Sequence, residues 1–172
     1  GKLMERLVTN RLNWFLEKNL LLNTNQSGFR QGRSTQDNII RLQDQINKFL
    51  RNEGYTVGIF LDFEKAYDML WKPGLLVKLK NLGINGHTLN YIKTFLAERT
   101  FQVKVGNSLS IKTVLDTGIA QGSIIAPLLF LVMINDFPES LNIENMLFAD
   151  DSAIFKSGKN LKFIVDCLQK QL

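Results

Sequence analysis

Two adjacent carboxylates, Asp150-Asp151, interrupt an otherwise apolar stretch near the end of this chain: Leu147-Phe148-Ala149 precedes them and Ala153-Ile154-Phe155 follows closely. The flanking residues, Glu144–Ala149 and Ser152–Lys156, have the composition of short β-strands, so the pair sits at the tip of a hairpin. Neighbouring carboxylates repel each other, and apolar surroundings screen that repulsion poorly. A bound divalent cation relieves it, and an all-oxygen ligand set favours Mg²⁺ or Mn²⁺. A solvated turn explains an isolated Asp-Asp pair better, because turns favour Asp.

A second strand repeats the pattern. Tyr55-Thr-Val-Gly-Ile-Phe-Leu61 is rich in β-formers, reads as a central strand and delivers Asp62 at its end. Taken alone, a strand-end Asp such as Asp62 is most often the N-cap of a following helix. If the two strands lie side by side, however, three carboxylates share one sheet edge. Two metal ions ~3.5–4 Å apart could then bridge them and serve an in-line phosphoryl displacement.

The remaining pattern is mostly helical. Residues 2–19 place Leu3, Leu7, Val8, Leu12, Phe15 and Leu16 at helical spacing. A polar loop, Asn23 to Thr35, holds Arg30 and Arg33. Ser34 or Thr35 could cap a helix to about Asn52 that buries Ile39, Leu42, Ile46, Phe49 and Leu50. Helices are expected over Pro73–Leu82 and His87–Glu98, separated by Gly83 and Gly86. A hairpin of Phe101–Val105 and Ile111–Leu115 turns around Gly106-Asn107-Ser108. Gly118–Ser123 is a loop, Ile124–Ile134 a buried helix, and Asn160–Leu172 a helix with Leu161, Ile164, Val165 and Leu168 on one face.

Charge and composition narrow the function classes. The net charge is +5, and it is unevenly placed: residues 1–55 carry nine Lys/Arg against five Asp/Glu, whereas residues 101–172 carry six against seven. A basic first half suits a polyanionic partner. With one Cys (Cys167) and one His (His87), an internal disulfide is excluded and a zinc site of the usual N/S type nearly so. His87 is a helix-start polar residue with no catalytic role expected. The longest apolar run, Ile124–Ile134, is far short of the ~20 residues of a membrane span and contains Pro127. The expectation is an intracellular protein, of cytoplasm and nucleus, with no membrane partner.

Four segments together resemble a known family. Leu61-Asp62-Phe63-Glu64-Lys65-Ala66-Tyr67-Asp68, Gly118-Ile-Ala-Gln121-Gly122-Ser123 and Phe148-Ala149-Asp150-Asp151 are similar to the three successive palm motifs of reverse transcriptases, in the same order. Ser27-Gly-Phe-Arg30-Gln-Gly32-Arg33-Ser-Thr35 resembles the fingers motif of the branch containing non-LTR retrotransposons and group II introns. Gln121-Gly-Ser-Ile-Ile-Ala-Pro127-Leu-Leu-Phe130 is similar to animal LINE-type elements.

The resemblance implies an α+β fold: a right-hand polymerase palm, with an antiparallel sheet backed by helices, and a helical fingers portion. Residues 1–54 would be fingers and 55–172 palm, with the thumb absent and the chain starting and stopping inside a larger polyprotein that also carries an endonuclease. It implies an RNA-directed DNA polymerase that extends a DNA primer on an RNA template from dNTPs, using two Mg²⁺ (or Mn²⁺) ions. Asp62, Asp150 and Asp151 would be the catalytic metal ligands, with the backbone carbonyl of Phe63 an additional oxygen. Tyr67 would be the steric gate against a 2′-hydroxyl. Gln121 and Gly122 would cradle the nucleotide and template base, and Lys65 and Ala66 would lie in the nucleotide-facing segment. Arg30 and Arg33 suit phosphate contacts, since guanidinium pairs bidentately with phosphate oxygens.

Ala120 and Ala126 stand where the family often has proline and serine, and Phe148 where tyrosine is frequent; none removes a ligand. Without a thumb, polymerase activity is expected to be weak, because duplex affinity comes from phosphate contacts along a groove. Two other readings compete: a non-catalytic RNA-binding remnant of a domesticated element, and an RNA-templated RNA polymerase. Intact aspartates argue against the first, and Tyr67 with Gln121-Gly122 against the second.

Overall fold

The computed structural model describes residues 1–97 and 99–172; the Glu98 end expected for one helix lies outside the described residues. The chain forms two compact units that interleave along the sequence, one of residues 1–21 and 65–133, the other of residues 22–64 and 134–172.

The second unit holds the sheet. Strands β1 (Tyr55–Asp62), β6 (Glu144–Phe148) and β7 (Asp151–Gly158) pair antiparallel in the order β1-β7-β6. The strand ending in Asp62 is therefore an edge of this sheet, not its centre; β7 is central. The apolar composition of β1 misleads because Val57 and Ile59 pack beneath a helix even at the edge, while Phe60 on the other face is 76% exposed. Helix α2 (Thr35–Leu50) packs on one face, where Leu42 meets Met146, Ala153 and Phe155. Helix α7 (Leu161–Gln169) packs on the other through Ile164 and Leu168 against Ile154, Val57 and Ile59. A short helix, α6 (Phe137–Ser140), packs beside β6.

The expected apolar face of α2 is only partly used. Leu42, Ile46 and Phe49 are half-buried, but Ile39 is 60% exposed and Leu50 62%. The buried position is Asn38, whose Nδ2 donates to the Leu147 carbonyl at 3.0 Å and whose Oδ1 accepts from Ser27 Oγ at 3.1 Å. Likewise on α7, Leu161 and Val165 remain exposed. The start of α2 is fixed by a reciprocal turn, in which the Ser34 amide donates to Asp37 Oδ2 at 2.6 Å.

The first unit is helical, with a β-arm. Helix α1 (Lys2–Lys18) buries Leu12 and Leu16, while Leu3 and Leu7 of the expected stripe stay exposed. Helices α3 (Lys72–Asn81) and α4 (Gly86–Leu96) are separated by a turn with Gly83 at φ +86°. Helix α5 (Ala126–Met133) is buried along most of its length and packs on α3. The arm is one hairpin in two nested pieces. Strands β3 (Lys104–Val105) and β4 (Ser108–Leu109) close on Gly106-Asn107, and β2 (Thr100–Phe101) pairs with β5 (Thr113–Val114) below them. Lys72 is buried, and its ammonium donates to the Leu115 carbonyl. Burial pushes its pKa down, Arg99 adds repulsion and Asp116 opposes both. Among the described residues, no helix is long and apolar enough to cross a membrane.

Candidate active site

The carboxylates of the second unit are arranged by strand register. β1 and β7 pair so that Asp62 lies opposite Asp151, and Phe148 of β6 lies opposite Asp151 on the other side. Residues paired across an antiparallel sheet share a face, so Asp62, Asp151 and Phe148 form one row. Asp62 and Asp151 are exposed and Asp150 is half-buried. Only Asp150 sits at the tip of the hairpin, in the turn Ala149-Asp150; Asp151 is already the first residue of β7. Beside this row a groove runs under α2, lined by Thr35, Asn38, Ile39, Phe60 and Phe148 as well as Asp151.

The turn is strained. Ala149 has φ +57°, in the left-handed region that non-glycine residues avoid. It is gripped by the segment Asn25–Gly28, which lies alongside β6: Ser27 N donates to Leu147 O and Leu147 N to Asn25 O, each at 2.9 Å. Phe63, after Asp62, meets Phe137 edge-on at 5.2 Å.

The two arginines of the loop are directed at backbone in this structure. Arg30 is buried, and its Nη1 donates to the carbonyls of Asn23 (2.7 Å) and Gln26 (3.3 Å). Arg33 Nη1 donates to Thr24 O (2.6 Å) and Gln26 O (3.2 Å). Both brace the loop that grips the carboxylate turn.

Five of the expected nucleotide residues, Lys65, Ala66, Tyr67, Gln121 and Gly122, lie in the first unit. Lys65, at φ +51°, is exposed, and its carbonyl closes a tight turn by accepting from Asp68 N and Met69 N, both at 2.9 Å. Ala66 is half-buried within that turn. Tyr67 is half-buried and stacks on Phe130, with centroids 5.4 Å apart and planes at 27°. The Gly118 loop is tied to the same turn, with Ile119 N donating to Tyr67 O (2.9 Å) and Gly118 N to Leu70 O (2.8 Å). Gln121 is exposed, and its amide donates to both oxygens of Asp68 at 3.0 and 3.1 Å. Gly122 is exposed at φ +77°, with open space where a side chain would start. Lys2 Nζ donates to Gly122 O (2.9 Å) and Glu5 accepts from Ile124 N (2.8 Å), so the start of α1 braces this loop. His87 lies exposed at the start of α4.

Sequence reasoning passed over Asp68 and Gln26. Asp68 closes the Leu61–Asp68 motif and is the nearest carboxylate in sequence to Tyr67. Gln26 immediately precedes Ser27-Gly28, but nothing in its own type or spacing marks it.

The whole chain, residues 1–172, matches the family model described as reverse transcriptase (RNA-dependent DNA polymerase). The chain belongs to the reverse transcriptase family. It is 39% identical over 138 residues, covering 80% of its length, to a probable RNA-directed DNA polymerase from transposon BS of Drosophila melanogaster. It is 35% identical over 181 residues, covering all of it, to the RNA-directed DNA polymerase from mobile element jockey of the same fly. It is thus the reverse transcriptase domain found in non-LTR retrotransposon polymerases. The chain spans 15% and 20% of the length of those two relatives.

The fold agrees. Telomerase from Candida albicans, solved with a fragment of telomeric RNA, superposes with a TM-score of 0.68 over 95% of this chain and 32% of its own, at 13% identity. Apo telomerase from Candida tropicalis gives 0.62 over 99% of this chain and 36% of its own, at 15% identity. The architecture is the α+β right-hand polymerase fold.

Reverse transcriptases generally use divalent metal ions. The donor set of the second unit suits a hard cation, since Asp62 and Asp151 are exposed, paired and offer only oxygen. Among the described residues, no group of three or more His, Cys, Asp or Glu side chains is gathered as a metal site. The strand register nevertheless brings Asp62 and Asp151 to one end of the sheet.

Proposed function

We propose that this domain carries the nucleotidyl-transfer centre of an RNA-directed DNA polymerase from a non-LTR retrotransposon. The observation that carries the reading is the register of β1 on β7, which sets Asp62 opposite Asp151 with Asp150 on the adjoining turn. Asp62, Asp150 and Asp151, with the Phe63 carbonyl, would hold two Mg²⁺ (or Mn²⁺) ions. Such ions, when bound, lower the pKa of a coordinated oxygen nucleophile and neutralise charge on a leaving pyrophosphate.

The chain's other residues would orient the reactants. The Tyr67 ring, held by its stack on Phe130, would pack against the sugar of a dNTP and exclude a 2′-hydroxyl. Gln121, fixed by Asp68, and Gly122 would present a polar surface and bare backbone to the nucleotide and its template base. Lys65 and Ala66 would line the same nucleotide. Arg30 and Arg33 would contribute positive charge toward phosphate while bracing their loop. The substrates would be an RNA template, a DNA primer and a dNTP, and a thumb and an endonuclease of the parent polyprotein would be the partners. The work would be done inside the cell, in cytoplasm and nucleus. Residues 1–54 would act as fingers and 55–172 as palm.

The test is Mg²⁺-dependent extension of oligo(dT) on poly(rA) by this chain, alone and joined to a C-terminal helical thumb. Removal of a metal ligand in Asp150→Asn should lower incorporation about a hundredfold or more. Equal incorporation by wild type and Asp150→Asn would overturn the assignment.

A further inference from the structure

The carboxylate turn is held by one buried amide side chain. Gln26, 4% exposed, accepts through Oε1 from the amide of Ala149 (3.0 Å) and from the amide of Gly28 (2.7 Å), and donates through Nε2 to the carbonyl of Ala149 (3.1 Å). Both backbone polar groups of Ala149 are therefore satisfied by the same side chain. Ala149 is also the residue whose φ of +57° turns the chain from β6 into Asp150. A left-handed alanine persists only where its surroundings over-determine it. Here the surroundings are Gln26 on one side and the bare Cα of Gly28 on the other, where even a Cβ would fall 2.0 Å from Ala149 N.

The grip is itself braced. Arg30 and Arg33 both donate to the Gln26 carbonyl, and the Gln26 backbone bridges to Leu147 of β6. A buried glutamine that merely completed a loop would need partners, but nothing would direct both ends of its amide to the one strained residue beside two carboxylates.

We infer that Gln26 is a positioning residue for the candidate catalytic carboxylates: it fixes the left-handed backbone at Ala149 and thereby where Asp150 and Asp151 are presented. The inference rests on the metal-binding reading of those aspartates made above. Gln26 touches no reactant; it acts through the turn.

The test uses the full chain and three variants, Gln26→Met, Ala149→Gly and the two combined. Methionine keeps the length of glutamine and removes its hydrogen bonds. Glycine adopts positive φ without strain and so needs no grip to do so. Two readouts are taken, residue-resolved amide hydrogen exchange and Mn²⁺ titration followed by electron paramagnetic resonance.

In Gln26→Met, exchange at the Ala149 amide should quicken about tenfold or more while that of Ile154 is unchanged. Mn²⁺ affinity should fall about tenfold, as when a supporting partner of a metal ligand is lost. Adding Ala149→Gly should return the affinity to within about threefold of wild type. Unchanged exchange at Ala149 in Gln26→Met would overturn the inference. So would a loss of Mn²⁺ affinity that glycine at 149 does not recover, since general loosening would then explain it. Asp150→Asn separates the two claims: if it binds Mn²⁺ as wild type does, the metal reading fails and Gln26 cannot be positioning a metal ligand. The exchange result then reports only on the turn.

Discussion

Gly28→Ala tests how the fold holds its carboxylate turn. A Cβ built at position 28 would lie 2.0 Å from Ala149 N, 2.8 Å from Ala149 Cα and 2.9 Å from the carbonyl carbon of Phe148. All three are backbone atoms, so no side chain can swing aside. The two segments must separate by more than about 1 Å to reach ordinary contact, which takes hydrogen bonds of 2.9–3.1 Å out of bonding range. Four such bonds are at stake: Ser27 N to Leu147 O, Leu147 N to Asn25 O, and the two between Gln26 and Ala149. At about 1 kcal/mol net each, the loss is about 4 kcal/mol, in the severe tail of point substitutions. For a chain of this size that corresponds to a melting temperature lower by about 8–16 °C. The measurement is thermal unfolding followed by circular dichroism, with Gly32→Ala alongside. Gly32 has φ +74° and open space around it, so its substitution carries only the left-handed penalty of about 1–2 kcal/mol. If Gly28→Ala melts no lower than Gly32→Ala, the close approach is not holding the turn and the reasoning fails.

Two further predictions concern stability. Gly118→Ala combines φ +80° with a Cβ only 2.6 Å from the Asp68 carbonyl oxygen, so urea unfolding should show a loss of about 3 kcal/mol or more, and a loss under about 1 kcal/mol would contradict the tight pairing of the Gly118 loop with the Tyr67 turn. Asp37→Ala removes the acceptor of the Ser34 amide at the start of α2 and should lower stability by about 1 kcal/mol in the same assay; no change would mean that the reciprocal turn contributes nothing to the helix.

Local signals in the sequence were enough to place the helices other than α6, the strand ending in Asp62 and the hairpin carrying Asp150-Asp151, because each has its own periodicity and breakers. Three things lay beyond them. The spacing of α2 marks Ile39 for burial, yet Asn38 is buried, where its amide bridges Leu147 O and Ser27 Oγ, and those partners are tertiary. The strand β1 reads as central from its apolar run, but its place at the edge is set by which strands pair beside it, and composition does not carry that. Arg30 and Arg33 read as phosphate ligands from residue type, while their guanidinium groups are here turned onto the carbonyls of Asn23, Thr24 and Gln26. Residue type predicts what a guanidinium can bind, and only the backbone around it shows which acceptor comes first.

Glycine at position 149 would relieve the strain of the turn, so the presence of alanine calls for a reason. Alanine restricts the unfolded chain and, once forced left-handed, leaves the turn fewer alternatives than glycine would. The force must then come from elsewhere, and Gln26 and Gly28 supply it: one satisfies both polar groups of Ala149, the other admits its backbone to within a distance no side chain would permit. The Gln26-Ser27-Gly28 segment and the Ala149-Asp150-Asp151 turn thus specify each other's conformation, although they stand more than a hundred residues apart. A substitution on either side should be read first as a change in how the carboxylates are presented, and only then as a change in chemistry.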